Sequence, residues 1–310
     1  MPLKLKTSNH YWLLSLGTPD NNAMNRSREA GRFWNGKFNL ATRLSRTLSG
    51  TDLRNTNMIR RLFAAYKRRR QKRSRLYRFF DRTLTALGIA YALLVFFPYP
   101  LFAHSVHVGQ FDIYSDRPIS PQIKNVINSA TARLKTSSLY SSDDSFAIYI
   151  AHDNWRRRLM NPRSSGAFGA SIIITGNTVL NRSDIPLDLC YHDHGNFNQR
   201  SLHSVIAHEC THHMLAAKLG IIAYLQLPEW KNEGYCEYIA GGSTFPVDRG
   251  LQLLREGKQH SSHAFRYLTY WLAVRQHMDR DGMNVSKLIA SDAEFTTLLH
   301  SAVTQFDPDR

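Results

Sequence analysis

The chain is poor in cysteine. Cys190, Cys210 and Cys236 are the only three in 310 residues. That is too few for a disulfide scaffold, and an odd number leaves at least one thiol free. They read as small buried hydrophobes, and a fold of about 150 to 200 residues buries a proper core without such staples. Acidic residues are nearly missing from the first 83 positions, which hold 4 Asp+Glu against 20 Lys+Arg. Residues 84–310 hold 20 of each, so the net charge of +16 belongs wholly to the N-terminal quarter. The remainder is neutral, and the high pI carries no information about its ligand. No internal repeat recurs. Residues 84–103 lack charge altogether, and no cysteine follows them to carry a lipid.

These absences divide the chain. Residues 1–57 mix Asn, Ser, Thr, Arg and Gly with weak periodicity and read as a disordered extension, with Met58 as an alternative start. Residues 58–83 form a basic juxtamembrane segment that includes "KRRRQKRSR". The uncharged run "LTALGIAYALLVFFPYPLFA", 84–103, then reads as a transmembrane helix or signal anchor, since a helix of that length spans about 30 Å. The basic flank on one side places the N-terminus in the cytoplasm and residues from 104 on across the membrane. Tyr91, Phe97, Tyr99 and Phe102 fall mostly where an outer aromatic belt would lie. A cleaved signal peptide, with Leu101 and Ala103 before the cut, and a buried core helix are the competing readings. Nucleic-acid binding by the basic stem is disfavoured, because attraction to anionic headgroups explains the same residues beside a span.

Residues 104–310 have the pattern of an α+β domain: a small mixed sheet followed by a helical half. "QFDIYSD" (110–116) and "SFAIYIAHD" (145–153) read as strands, 120–135 and 154–161 as helices, and 166–181 as two strands around a Gly-Asn turn. Residues 182–199 read as a polar loop. From 200 the chain reads as helical over 200–219, 229–240, 247–256, 263–280 and, with breaks, 285–305. Strands first and helices afterwards favour α+β over alternating α/β.

Within the first of these helices stands "SVIAHECTHHML", 204–215. His208 and His212 are four residues apart and share a face, so both imidazoles can reach one ion. Glu209 lies about 100° round, close enough to hold a water on that ion. This is an H-E-x-x-H arrangement of two Zn²⁺ ligands and a general base. The flanking residues are apolar, so unpaired charge there would be costly, and a metal relieves that cost. His213 lies off the ligand face and reads as a contact to solvent or to a ligand's far side. A catalytic zinc takes three protein ligands. "LPEWKNEGYCEYIAGG", 227–242, supplies Glu233 and Glu237 on one face of a helix. One carboxylate can bind zinc while the other hydrogen-bonds a ligand histidine and fixes its tautomer.

"HECTH", followed after twenty residues by "EGYCEY", resembles the gluzincin clan of zinc metallopeptidases, in its small bacterial membrane-anchored form. The motifs cover 200–242, and a looser likeness runs from about 110 to 306. The spacing is slightly longer than in zinc aminopeptidases and thermolysin-like enzymes, and their large extra domains are lacking. The resemblance implies a zincin-like helical half with His208, His212 and Glu233 as ligands, Glu209 as catalytic base and Glu237 behind a ligand histidine. It implies hydrolysis of a peptide or protein substrate paired to an edge strand, for which "ASIIIT" (170–175) is the candidate. It also implies a downstream oxyanion stabiliser, with Tyr267 the choice and Tyr270 and His263 nearby. The alternative is a non-catalytic, metal-stabilised binding module tethered at the membrane, its site closed by a fourth ligand such as Cys236. Cys210, on the opposite helix face, is a poor ligand.

Overall fold

The structure is a computed structural model that describes residues 75–162, 166–193, 198–280 and 282–306, with Arg61 and Ala64 as isolated helical positions before them. The expectations for 1–57 and for most of 58–74 lie outside the described residues.

Helix α1 (Arg75–Phe96) stands apart. Its segment Leu76–Phe96 is long and apolar enough to cross a membrane, and none of that segment is buried. Leu84, Leu87, Ile89 and Leu93 are all more than half exposed, so α1 is not a core helix of the domain. Both bounds of the 84–103 reading need correction. The helix begins inside the basic segment, because Arg, Leu, Tyr and Phe contain no helix breaker. It ends at Phe96, ahead of Pro98, which has no N–H and disfavours the helical conformation in the residue before it. Tyr99–Leu101 then make a single 3-10 turn. Phe102 is buried, its ring 5.3 Å from that of Tyr149, so it belongs to the domain and not to an outer belt.

The domain is mixed α+β. Strands β1 (His104–Val108) and β2 (Phe111–Ser115) form an antiparallel hairpin, turned at Gly109 with φ +60. Helix α2 (Ile123–Leu134) carries the chain to β3 (Phe146–Ile150), parallel to β2. Helix α3 (Asn154–Met160) comes next, its first turn capped by Asp153, which accepts a bond from Arg156 N. Strands β4 (Gly169–Ile172) and β5 (Asn177–Leu180) are antiparallel, and β5 runs parallel to β3. The sheet order β1-β2-β3-β5-β4 leaves β4 at an edge. Central β3 is buried at every position, as its unbroken apolar run "FAIYI" demands of a strand covered on both faces.

Residues 182–199 are not a plain loop. The described residues from 182 to 201 include a second, antiparallel sheet of β6 (Ser183–Asp184), β7 (Leu189–Tyr191) and β8 (Gln199–Ser201). Strands of two or three residues leave no hydrophobic period to read.

The helical half comprises α4 (Leu202–Leu219), α5 (Ile221–Gln226), α6 (Glu229–Ala240), α7 (Val247–Arg255), α8 (His263–Arg275), a π turn over Gln276–Arg280, α9 (Val285–Ala290) and α10 (Phe295–Gln305). The break between α4 and α5 falls on Gly220, at φ +79. Helix α6 packs against both α4 and α8, while α4 packs on α2 and β4. The main core joins β2, β3, α2, α4 and α6. A smaller core of Phe245, Leu251, Phe265, Leu268, Leu272, Ala302 and Val303 holds α7, α8 and α10 together.

Candidate metal centre

Buried α4 meets α6 face to face, and the contact brings three side chains to one point. His208 Nε2 and His212 Nε2 are 3.2 Å apart. Glu233 Oε2 lies 3.3 Å from the first and 3.5 Å from the second. The two imidazole rings stand nearly perpendicular, at 77°. Ligands bound tetrahedrally at 2.0–2.1 Å are separated by about 3.3 Å, so this triangle has the size such an ion requires. Among the described residues these three form the group able to hold a metal ion.

The surrounding charge asks for a cation. Burial alone would lower the pKa of His208. The negative charge of Glu237, with the Glu233 and Glu237 carboxylates beside the ring nitrogens, outweighs it and pushes the imidazole up to about 10. Burial would raise Glu233, but His212 and His208 hold its carboxyl well below the usual range. A divalent ion would replace the proton that this arrangement attracts.

Each of the two histidines has neighbours behind it. His212 Nδ1 lies 3.0 Å from Asn232 Oδ1. Asn232 Oδ1 can accept a hydrogen bond from a proton carried on Nδ1, the arrangement that would leave Nε2 free to bind a metal. The Tyr224 hydroxyl, 3.0 Å away, and Cys236 Sγ, 3.3 Å away, crowd the same Nδ1. Cys236 thus lies on the far side of His212 and is not placed to close the site as a fourth ligand. Glu237 Oε1 is 3.2 Å from His208 Nδ1, although the approach is bent and leaves that nitrogen without an aligned hydrogen bond. Glu237 is itself gripped by Arg200, whose Nη1 and Nη2 donate to its two oxygens at 2.9 and 2.8 Å. Arg200 Nη2 also donates to Gly242 O at 2.9 Å.

Glu209 points from α4 toward the sheet edge. The Ser171 hydroxyl, on β4, lies 2.7 Å from Glu209 Oε2 and 2.7 Å from the Glu209 carbonyl oxygen. Gly169 makes room for the same side chain: a Cβ there would sit 3.0 Å from Glu209 Oε1 and 2.9 Å from Leu180 Cδ2. The edge strand expected within 170–175 therefore borders Glu209, but it ends at Ile172, and 173–175 belong to the turn.

Close packing of α6 on α8 depends on a glycine. A Cβ on Gly234 would lie 2.7 Å from Tyr270 O and 2.7 Å from Val274 Cγ2. That proximity carries Tyr267 to the cluster, its ring stacked over His208 at 6.3 Å and 17°. The charge of Glu233, then burial, raises the Tyr267 pKa well above its ordinary value, so it stays a phenol able to donate. Tyr270 turns its hydroxyl toward Glu229, 3.5 Å away, and exposed His263 meets Arg266 at 3.3 Å. Of the three downstream candidates only Tyr267 reaches the His208–His212–Glu233 cluster.

His213 is half-buried and turns away from the His208–His212–Glu233 cluster. Its Nε2 lies 3.0 Å from Thr178 Oγ1 on β5, and burial, then neighbouring His212, lowers its pKa to about 4, so it is neutral. All three cysteines are free and buried. Arg200, Asn232, Tyr224 and Ser171 are site neighbours not anticipated from the sequence. Only Asn232 left a signal there, by adjoining Glu233.

No protein-family model matches the chain, and no curated protein matches it.

Proposed function

We propose that this chain is a membrane-anchored zinc metallopeptidase of gluzincin type, with its catalytic domain on the extracytoplasmic side. The single observation that carries the reading is the convergence of His208, His212 and Glu233 at tetrahedral separations, with Glu209 on the adjoining edge of the site. A bound Zn²⁺ would supply Lewis acidity and lower the pKa of water at the site toward about 7.

The protein's own groups then divide the work. Glu209 takes a proton from the attacking water and returns it to the leaving amine. Ser171 aims the Oε2 of Glu209. Exposed main-chain groups along β4 pair an extended peptide and bring its scissile carbonyl past Glu209. Tyr267, a neutral phenol, donates to the oxygen on which negative charge develops. Asn232 and Glu237 orient the two imidazoles. The position of Cys236 weighs against the alternative of a closed structural site, because its sulfur approaches the wrong nitrogen of His212.

Metal analysis of purified variants tests the ligand set. His212→Ala should emerge without zinc, and Glu209→Gln should retain it, because a base is not a ligand. Full zinc content in the His212→Ala protein would refute the assignment.

A further inference from the structure

The joint between α1 and the domain is built as a rigid bracket. Buried Asn177, at the start of β5, donates from Nδ2 to Val95 O at 2.9 Å and reaches Phe96 O at 3.4 Å, holding the last carbonyls of α1. The Tyr91 hydroxyl, within α1, donates to Leu159 O of α3 at 3.0 Å. Arg156 Nε donates to Leu101 O at 2.7 Å, and Phe102 is buried in the domain. The domain therefore keeps a fixed orientation relative to α1 and does not swing on a tether.

That bracket has a consequence for depth. The uncharged part of α1, Leu84–Phe96, rises about 20 Å at 1.5 Å per residue. The hydrocarbon core of a bilayer is about 30 Å thick. Part of the shortfall falls on α1's first turns, where arginines can snorkel while Asp81 resists immersion. The rest falls on whatever surrounds the other end. Helix α3 lies there, and its contact at Tyr91 sets Leu159 about 7 Å back along α1 from the helix end. The flank of α3 is thus level with the span itself.

Exposed residues on α3 and on the segments that join α1 to the domain suit a water–lipid boundary. Trp155 is 52 % exposed, with the Arg156 guanidinium 4.4 Å over its ring. Tyr99 is 51 % exposed, and Arg158 is exposed on the same short helix as Trp155. Ile174, 36 % exposed, caps the β4–β5 turn just before Asn177. Trp and Tyr concentrate at membrane interfaces, and arginine keeps its charge in the headgroups while its stem lies on apolar groups.

We propose that the domain is seated on the outer leaflet of the bilayer that α1 crosses, with Trp155, Tyr99, Arg158 and Ile174 in its interfacial layer. The proposal rests on the reading of α1 as a membrane span. The occupant is the lipid interface and not a second protein, because the bond from Tyr91 to Leu159 O holds the helix that carries Trp155 and Arg158 at the level of the span.

The test uses the full chain in phospholipid vesicles brominated near the headgroup end of the acyl chains. Difference spectra between wild type and Trp155→Phe isolate the fluorescence of Trp155. Interfacial groups sit about 5–10 Å into the headgroup and acyl boundary, so the Trp155 signal should fall by about half in those vesicles and less in vesicles brominated deep in the chain. Alkaline washing reports the span independently. If the chain stays in the vesicles and the Trp155 signal is unchanged by bromine, the seating is overturned and the anchor stands. If the chain washes off, the span is refuted and the seating with it.

Discussion

Glu237→Gln separates the two carboxylates of α6. Glu237 is 1 % exposed and holds Arg200, whose side chain is 10 % exposed, in a two-pronged bond. Removing one charge of a buried pair costs about 3–5 kcal/mol, mostly for the charge left behind. Arg200 keeps its bond to Gly242 O and can still donate to an amide oxygen, so the low end, about 3 kcal/mol, applies. For a domain of this size that lowers the melting temperature by about 6–12 °C. Metal binding should weaken about 10- to 100-fold, because His208 loses the acceptor beside Nδ1. Glu233 differs on both counts. It is half-buried, has no arginine partner among its ion pairs, and supplies an atom to the cluster itself. Glu233→Gln should lower the metal-free melting temperature less than Glu237→Gln, because it leaves no buried arginine unpaired, and it should nearly abolish metal binding. The assay is a thermal melt of each metal-free variant, followed by competitive chelator titration. A Glu237→Gln protein that melts as wild type, or that binds metal more weakly than Glu233→Gln, would refute the division of roles.

The packing and the charge pattern each carry a further prediction. Gly234→Ala introduces a methyl 2.7 Å from the backbone oxygen of Tyr270, which cannot move without shifting α8, so stability should fall by about 1–3 kcal/mol, and a denaturant melt unchanged from wild type would show the α6–α8 approach to be looser. A reporter fused after residue 83 should read cytoplasmic and one at the C-terminus extracytoplasmic, whereas two cytoplasmic readings would remove the span and the proposed location together.

The centre of the site was legible because it is written in local spacing. His208, Glu209 and His212 lie within one and a half turns, and Glu233 and Glu237 lie one turn apart, so helix geometry alone orders them. What supports them comes from afar. Arg200 precedes α4 and meets Glu237 across 37 residues, and Ser171 meets Glu209 across 38. No period in the sequence announces such pairs. Fold class was readable from the alternation of β2, the apolar run of β3 and the helical spacing of α2. The β6–β7–β8 sheet was missed because its strands are too short to alternate. The bounds of α1 were misplaced because composition marks where charge is absent, while the helix is set by backbone chemistry: it continues through Arg75–Arg82 and stops short of Pro98. His213 was misjudged for a related reason. Its face of α4 is turned to β5, a contact that exists only once the sheet is folded.

The most direct measurement of the central claim is peptide-library hydrolysis by the full chain purified in detergent, run beside Glu209→Gln at equal metal content. The account predicts cleavage by the wild type, lost on chelation and restored by Zn²⁺, and a loss of at least about 100-fold in the variant, the usual worth of a positioned general base. Equal cleavage by both proteins would remove Glu209 from the reaction. Metal held by both with cleavage by neither would contradict the peptidase reading and leave a metal-stabilised binding module.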